Sequence, residues 1–294
     1  MVERTTFGRR SFIAANYTFL ILLSILCVLP LVHVFAVSLS SSAAATAGLV
    51  KLWPVEWSWK SYEYVLSKQA FLKSVLVSTE RVVLGVSLNL LLTVLVAYPL
   101  SKEPHIFRWR TAYVWFFVFT ILFGGGLVPW YMVIKATGIM DSVWALILPG
   151  AVPVFNVILL LNFFRGLPKE LEEAAFIDGA GYMVTLWKVI VPLSAPAIAT
   201  ITLFSTVGHW NSWFDGMILM NKPDHYPLQT YLRTVVIERD LSLMSLDDLE
   251  LMSQISDRTT KSAQIFLGSL PILLVYPFLQ KYFMKGIVLG SVKE

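Results

Sequence analysis

The chain has 294 residues, 56% of them hydrophobic and only 14% charged, with a mean hydropathy of +0.69. Soluble domains carry about 25% charged residues, so this composition excludes an ordinary water-soluble enzyme and places the chain in a bilayer. The net charge of +4 is what basic cytoplasmic loops give a membrane protein and calls for no nucleic-acid partner.

Six apolar runs predict six helices, at about 17–37, 73–100, 111–135, 143–164, 197–220 and 263–283. Each can cross about 30 Å of hydrocarbon at 1.5 Å per residue. The expected fold class is therefore an all-α membrane protein with six transmembrane helices, residues 1–294 forming a single transmembrane domain. The first run, with Arg9-Arg10 before it and Ala45-Thr46-Ala47 after it, imitates a secretory signal. Its length of about 21 residues exceeds the usual 7–15 of a signal core, which favours an uncleaved span. Cys27, the single cysteine, lies inside it as a small apolar filler, so no disulfide forms within the chain.

The loop at about 38–72 carries Trp53, Trp57, Trp59, Tyr62 and Tyr64, which fit an interfacial aromatic belt. In the second helix Glu80 and Arg81 are adjacent and point in different directions, towards water or separate partners. Asn89 there, and Asn156 in the fourth helix, suit interhelical hydrogen bonds. Phe123-Gly-Gly-Gly126 falls in the middle of the third. Either the helix breaks at the glycines and exposes backbone to a cavity, or a neighbour packs closely, which is the commoner cause. The loop at about 221–262 carries Asp247-Asp248-Leu-Glu250 and Asp257-Arg258, a surface suited to an external protein.

Orientation follows from the short loops. Lys102, Arg108 and Arg110 follow the second helix; Arg165, Lys169 and Lys188 follow the fourth; Lys281, Lys285 and Lys293 close the chain; Arg4, Arg9 and Arg10 open it. The turn after the third helix has only Lys135 against Asp141. Both termini and the 165–196 loop are therefore expected in the cytoplasm.

No G-x-x-x-x-G-K-[ST] occurs, which argues against ATP binding by a P-loop. No H-E-x-x-H or G-x-S-x-G occurs, and His33, His105, His209 and His225 lack metal-ligand spacing. Glu80, Arg81 and Asp215 are too sparse for a proton relay. The chain is expected to be no enzyme, to hold no metal, and to bind no cofactor of its own.

The polar loop between the fourth and fifth helices is the segment with most to say. It reads Glu170-Leu-Glu-Glu-Ala-Ala-Phe-Ile-Asp-Gly-Ala-Gly-Tyr and runs on to Val189-Ile-Val-Pro-Leu-Ser-Ala-Pro196. Pro168 suits a helix start, Glu170, Glu172 and Glu173 suit its positive dipole end, and Gly179 suits its termination at positive φ. A second short helix at about 182–190 leads through Pro192 and Pro196 into the fifth span. On these residues alone, an amphipathic interfacial helix and a docking helix both remain open.

Glu173-Ala-Ala-x3-Gly179-x9-Val189-x-Val191-Pro192 resembles the EAA motif of ABC importer permeases, with the usual Ile and Leu replaced by Val. Asp178-Gly179-Ala180 resembles the maltose-type, carbohydrate-uptake branch. Ala97-Tyr98-Pro99-Leu100-Ser101 and the tail from Gln280 through Gly286 and Gly290 to Lys293 are similar to other family segments. Phe123-Gly-Gly-Gly126-Leu-Val-Pro129-Trp-Tyr is similar to importers of polysaccharide fragments, and the whole chain resembles the permeases of alginate-oligosaccharide importers. The resemblance implies a type I importer permease fold with a cytoplasmic coupling helix in a bacterial inner membrane. It implies a homologous second permease, two ATP-binding cassette subunits that carry ATP and Mg, a periplasmic or extracellular solute-binding protein, membrane lipid, and an oligosaccharide substrate. Glu173 is then the charge partner of the ATPase, Ala174 and Ala175 the close-contact face, Asp178 part of the motif and Gly179 the turn; the tail at 285–294 is expected near the ATPases. His209, Asn211, Trp213 and Asp215 in the fifth helix either line the substrate path or form an aromatic belt near the outer surface. The rival reading is an ion-gradient-driven secondary transporter, which calls for inverted repeats and ionisable groups at the midplane.

Overall fold

A computed structural model describes residues 7–235 and 256–291, and every regular element among them is helical. In chain order the helices are α1 (Phe7–Ser38), α2 (Ser42–Thr46), α3 (Lys60–Ser67), α4 (Gln69–Ser101), α5 (Arg110–Leu122), α6 (Leu127–Ala136), α7 (Val143–Ile147) and α8 (Val154–Arg165). They continue with α9 (Glu170–Ile177), α10 (Tyr182–Thr185), α11 (Val191–Leu193), α12 (Ala195–Asn211), α13 (Phe214–Leu219), α14 (Leu228–Arg233) and α15 (Asp257–Ser291). Contacts divide the chain into two compact units, Met1–Gln69 with Val235–Leu270 and Ala70–Thr234 with Pro271–Glu294.

In the first unit α1 is apolar on all sides, and its large side chains are exposed along most of its length. A helix apolar all round needs an apolar solvent, which is the bilayer. Only its C-terminal end is covered, where Ala36 and Val37 pack on Ala44, Ala45 and Val50. Ser38 Oγ and Tyr62 OH share a hydrogen bond of 2.7 Å, and Ser61 donates to Thr259 Oγ1 at 2.8 Å. Tyr62 and Tyr64 are therefore buried members of this unit, whereas Trp53, Trp57 and Trp59 are exposed. The two tyrosines of the aromatic loop therefore serve packing, while its three tryptophans remain open.

The second unit holds α4, long and apolar enough to cross a membrane, and three helix pairs that pass the same test together but are sharply bent. The expected third helix does not run straight through the glycines. α5 and α6 meet at 114°, with Gly125 at φ +69° and Gly126 at φ +88°. Left-handed φ strains any residue with a Cβ, and a Cβ at Gly124 or Gly125 would meet nothing within 4 Å. The glycines break the helix; they do not serve close packing. The expected fifth helix is also interrupted: α12 ends at Asn211 and α13 starts at Phe214. The expected sixth helix lies in α15, whose later side chains fall outside the described residues, as do the Asp247-Asp248-Glu250 cluster and the last three residues of the tail.

The principal core joins Val94, Ala97 and Tyr98 of α4, Val157, Leu160 and Phe164 of α8, Ile201 of α12, and Leu186 and Ile190 of the short segment before α11. That segment, Leu186–Ile190, is a π-type turn. With α10 and α11 it forms a bent rod that meets α12 at 82°. The 165–196 loop is thus packed against three long helices, not hung between two of them.

Candidate functional site

Two polar features stand out in the second unit, one at the 165–196 loop and one where the middle of α4 meets the start of α8 and the last turns of α12.

At the loop, α9 begins two residues after Pro168, with Glu170, Glu172 and Glu173 in its first turn. Its end is set by Gly179 at φ +82°, where Gly179 N–H donates to Phe176 O at 3.0 Å and Ala180 N–H to Ala175 O at 2.9 Å. This is the glycine C-terminal geometry that the sequence suggests. The two neighbouring glutamates face different ways. Glu172 turns inward: Lys102 Nζ donates to both of its oxygens at 2.5 Å, and Tyr98 OH donates to Oε1 at 2.7 Å. The same ammonium sits 4.0 Å from the centroid of the Tyr98 ring. A second strut joins Lys169 to Glu103. Their hydrogen bond and mutual attraction hold the Glu103 carboxyl below its usual range and the Lys169 ammonium above its own. Arg110 Nε and Arg165 Nη2 both donate to Leu100 O, at 3.0 and 3.2 Å. The end of α4 and the start of α9 are therefore clamped together.

Glu173 turns outward and is exposed, as are Ala174, Asp178 and Gly179, while Ala175 is half-buried. Around them lie large apolar side chains open to solvent: Ile177 is 86% exposed and Met183 63%, with Tyr182, Val184 and Trp187 beside them in sequence. Exposed apolar surface of this kind, beside carboxylates, is what an interaction site for a protein or a membrane surface presents.

Glu172 carries the structural role, and sequence reasoning missed it. Glu172→Ala would leave Lys102 without its carboxylate. Bonds to charged groups contribute roughly 1.5–3 kcal/mol each, and this pair is partly screened. A loss of about 1–3 kcal/mol is expected, with about 1 kcal/mol for Tyr98→Phe. Thermal unfolding of the purified protein in detergent measures both.

The second feature is a cavity of about 440 Å³, lined in part by Arg81, Asn89, Asn156, Ser205, His209 and Asp215. Arg81 and Asp215, 134 residues apart, form a bidentate pair, with Nη1 at 3.1 Å from Oδ1 and Nη2 closing on Oδ2. Their side chains are 4% and 18% exposed. Asp215 also accepts from Ser212 Oγ at 2.8 Å and from Gly216 N–H at 2.9 Å. Three of these four donors converge on Oδ1, and Oδ2 takes the Arg81 bond alone, so Asp215 is held chiefly through one oxygen.

Asn89 Nδ2 donates to the carbonyls of Gly150 and Ala151, at 2.9 and 3.0 Å. That fixes its Oδ1 as an acceptor, so His209 Nε2, 2.8 Å away, carries the proton. Gly85 lets α12 come this close, since a Cβ there would stand 2.6 Å from His209 Nε2. Asn156 Nδ2 donates to Ser205 Oγ at 3.2 Å.

The four residues singled out in the fifth helix are divided by this geometry. His209 and Asp215 line the cavity. Asn211 is exposed at the end of α12, outside the lining. Trp213 lies beyond the break between α12 and α13, so it does not share a helical face with His209, and its ring is capped by the Arg233 guanidinium at 3.9 Å. Glu80 is exposed. The signal for the missed pair was present: unlike charges inside apolar helices are costly unless joined.

Comparison with known proteins adds three findings. Residues 81–288 match the model of the family described as "Binding-protein-dependent transport system inner membrane component". The polygalacturonan/rhamnogalacturonan transport system permease protein YtcP of Bacillus subtilis (strain 168) is 40% identical over 94% of this chain and 96% of its own; protein LplC of the same organism is 39% identical over 97% and 95%. Among solved structures, a chain from the crystal structure of a bacterial ABC transporter involved in the import of the acidic polysaccharide alginate superposes with a TM-score of 0.88 at 32% identity, covering 96% of this chain and 100% of that one.

Proposed function

The chain belongs to the family of binding-protein-dependent transport system inner membrane components, and with that as premise we propose that it forms half of the translocation pathway of an ATP-driven importer for polysaccharide-derived oligosaccharides. It is a permease subunit of the ABC sugar-importer type with the type I permease fold, and it is not catalytic. An importer of this family implies a partner ATPase that supplies the work and a binding protein that delivers the solute. The relatives handle polygalacturonan, rhamnogalacturonan and alginate, so a uronate-containing oligosaccharide is the cargo we assign.

Six spans, the bent pairs counted singly, carry both termini on the cytoplasmic side. A second, homologous permease completes the pathway, and two cassette subunits hold ATP and Mg. The exposed face of Glu173, Ala174, Ala175, Asp178 and Gly179 docks on a cassette subunit, and the tail lies near it. The observation that carries this reading is the two-sided loop: a charged, apolar outer face and an inner face locked by Glu172 and by Leu186 and Ile190 into the core of α4, α8 and α12. Cassette closure pulls on α9, the locked core transmits the pull, and the pathway alternates between inward and outward access.

Copurification of the chain with its ATPase partners, followed by ATP hydrolysis measured with binding protein and either neutral or uronate oligosaccharides, tests the proposal. Stimulation by a loaded binding protein is the expected result; turnover indifferent to every oligosaccharide contradicts it.

A further inference from the structure

The cavity bounded by α4, α6, α7, α8, α12 and α13 has the chemistry of a saccharide site, and its charge balance states which part of the saccharide it reads. Its volume of about 440 Å³ is within the ordinary range of ligand sites. Trp130 and Phe204 bring aromatic rings to it, and flat apolar faces suit the C–H face of a pyranose. Asn156, Ser205 and His209 bring polar groups with capacity to spare. An amide has two donors and an acceptor oxygen, a hydroxyl serves both ways, and His209 keeps Nδ1 when Nε2 is engaged by Asn89.

Arg81 and His209 are the basic groups of the lining. The guanidinium is already neutralised by Asp215 through two nitrogens, and Asp215 is itself held at Oδ1 by Ser212 and Gly216. Arg81 Nε is buried with no hydrogen-bond partner among the described residues, one donor without an unbalanced charge behind it. A uronate carboxylate entering the cavity would have to displace Asp215 and leave it as a buried, unpaired anion, a costly exchange. Hydroxyls ask for no such exchange.

We infer that this cavity is a saccharide-binding site that recognises ring faces and hydroxyls through Trp130, Asn156, Ser205 and His209 and is indifferent to the carboxylates of the cargo. The inference rests on the oligosaccharide reading above and goes beyond it. Preference for acidic cargo then resides outside this chain's cavity, and Asp215 is a positioning residue that holds Arg81 and the start of α13.

The experiment uses the complete importer in proteoliposomes, with the binding protein in excess so that cargo delivery is saturated. The probes are a uronate trisaccharide and its methyl ester, which lacks the charges and keeps the hydroxyls and rings. Variants Asn156→Leu and Trp130→Ala alter the site from two different elements, and copurification of all subunits in the wild-type ratio reports that each complex is assembled. Uptake of both probes falling at least tenfold, with their ratio unchanged within about twofold and the complex fully assembled, is the predicted result. Unchanged uptake of both probes in both variants overturns the site, and so does a loss confined to the charged probe, which would make the cavity a carboxylate reader. A wild-type importer that hydrolyses ATP and takes up neither probe refutes the oligosaccharide reading itself, and the inference falls with it.

Discussion

Glu173→Lys is expected to abolish uptake while leaving the protein folded. Glu173 is exposed in the first turn of α9, so its replacement removes no buried contact, and surface changes of that kind usually stay within about 0.5 kcal/mol of stability. Docked against a basic partner, the same carboxylate is a buried interfacial charge. Loss of one partner from such a pair costs about 2–5 kcal/mol or more, and reversal adds like-charge repulsion. A fall of roughly 30-fold or more in uptake and in binding-protein-stimulated ATP hydrolysis follows from that magnitude. Glu172 supplies the contrast one residue away. Its replacement lowers thermal stability, because the clamp to Lys102 and Tyr98 opens. Uptake, stimulated hydrolysis and melting temperature measured side by side on the two variants separate docking from anchoring. Equal melting losses with intact hydrolysis for both would refute the division of roles.

Arg81→Met and Asp215→Leu should each be strongly destabilising alone and much milder together. Each single change strands one charge among apolar helices, with Arg81 4% and Asp215 18% exposed at the side chain. Breaking a buried pair costs about 3–5 kcal/mol, whereas replacing both members with apolar groups is often nearly neutral. Asp215→Leu carries a further cost, since Ser212 and Gly216 N–H lose their acceptor. The double-mutant cycle should therefore show coupling of several kcal/mol, read as thermal unfolding in detergent. Additive losses would mean that the pair does not exist in the folded protein.

Composition and the apolar runs made the all-helical membrane fold legible, because burying a backbone in lipid leaves few alternatives to a helix. The bends were less visible. Gly124-Gly-Gly126 signals weakness in a helix, yet only positive φ at Gly125 and Gly126 decides for a break. The gap at Ser212 and Trp213 carries no proline or glycine to announce it. That gap is why Trp213 parts from His209, a pairing that helical spacing alone supports. At the loop the motif residues were legible as a sequence pattern, while the inward role of Glu172 was not. Its partners Tyr98 and Lys102 lie about 70 residues upstream, and no local spacing rule reaches that far. The Arg81–Asp215 pair was withheld for the same reason, although scarcity of charge inside the apolar helices was a usable hint.

The central claim is that this chain moves oligosaccharide by work done on its 165–196 loop by a partner ATPase. Its most direct test is oligosaccharide uptake into proteoliposomes that hold the purified importer, with ATP or a non-hydrolysable analogue inside and an imposed ion gradient as the alternative drive. Uptake that requires hydrolysable ATP, ignores the gradient and disappears with Glu173→Lys is the predicted result. Uptake that follows the gradient, or that survives removal of the ATPase subunits, would contradict the account.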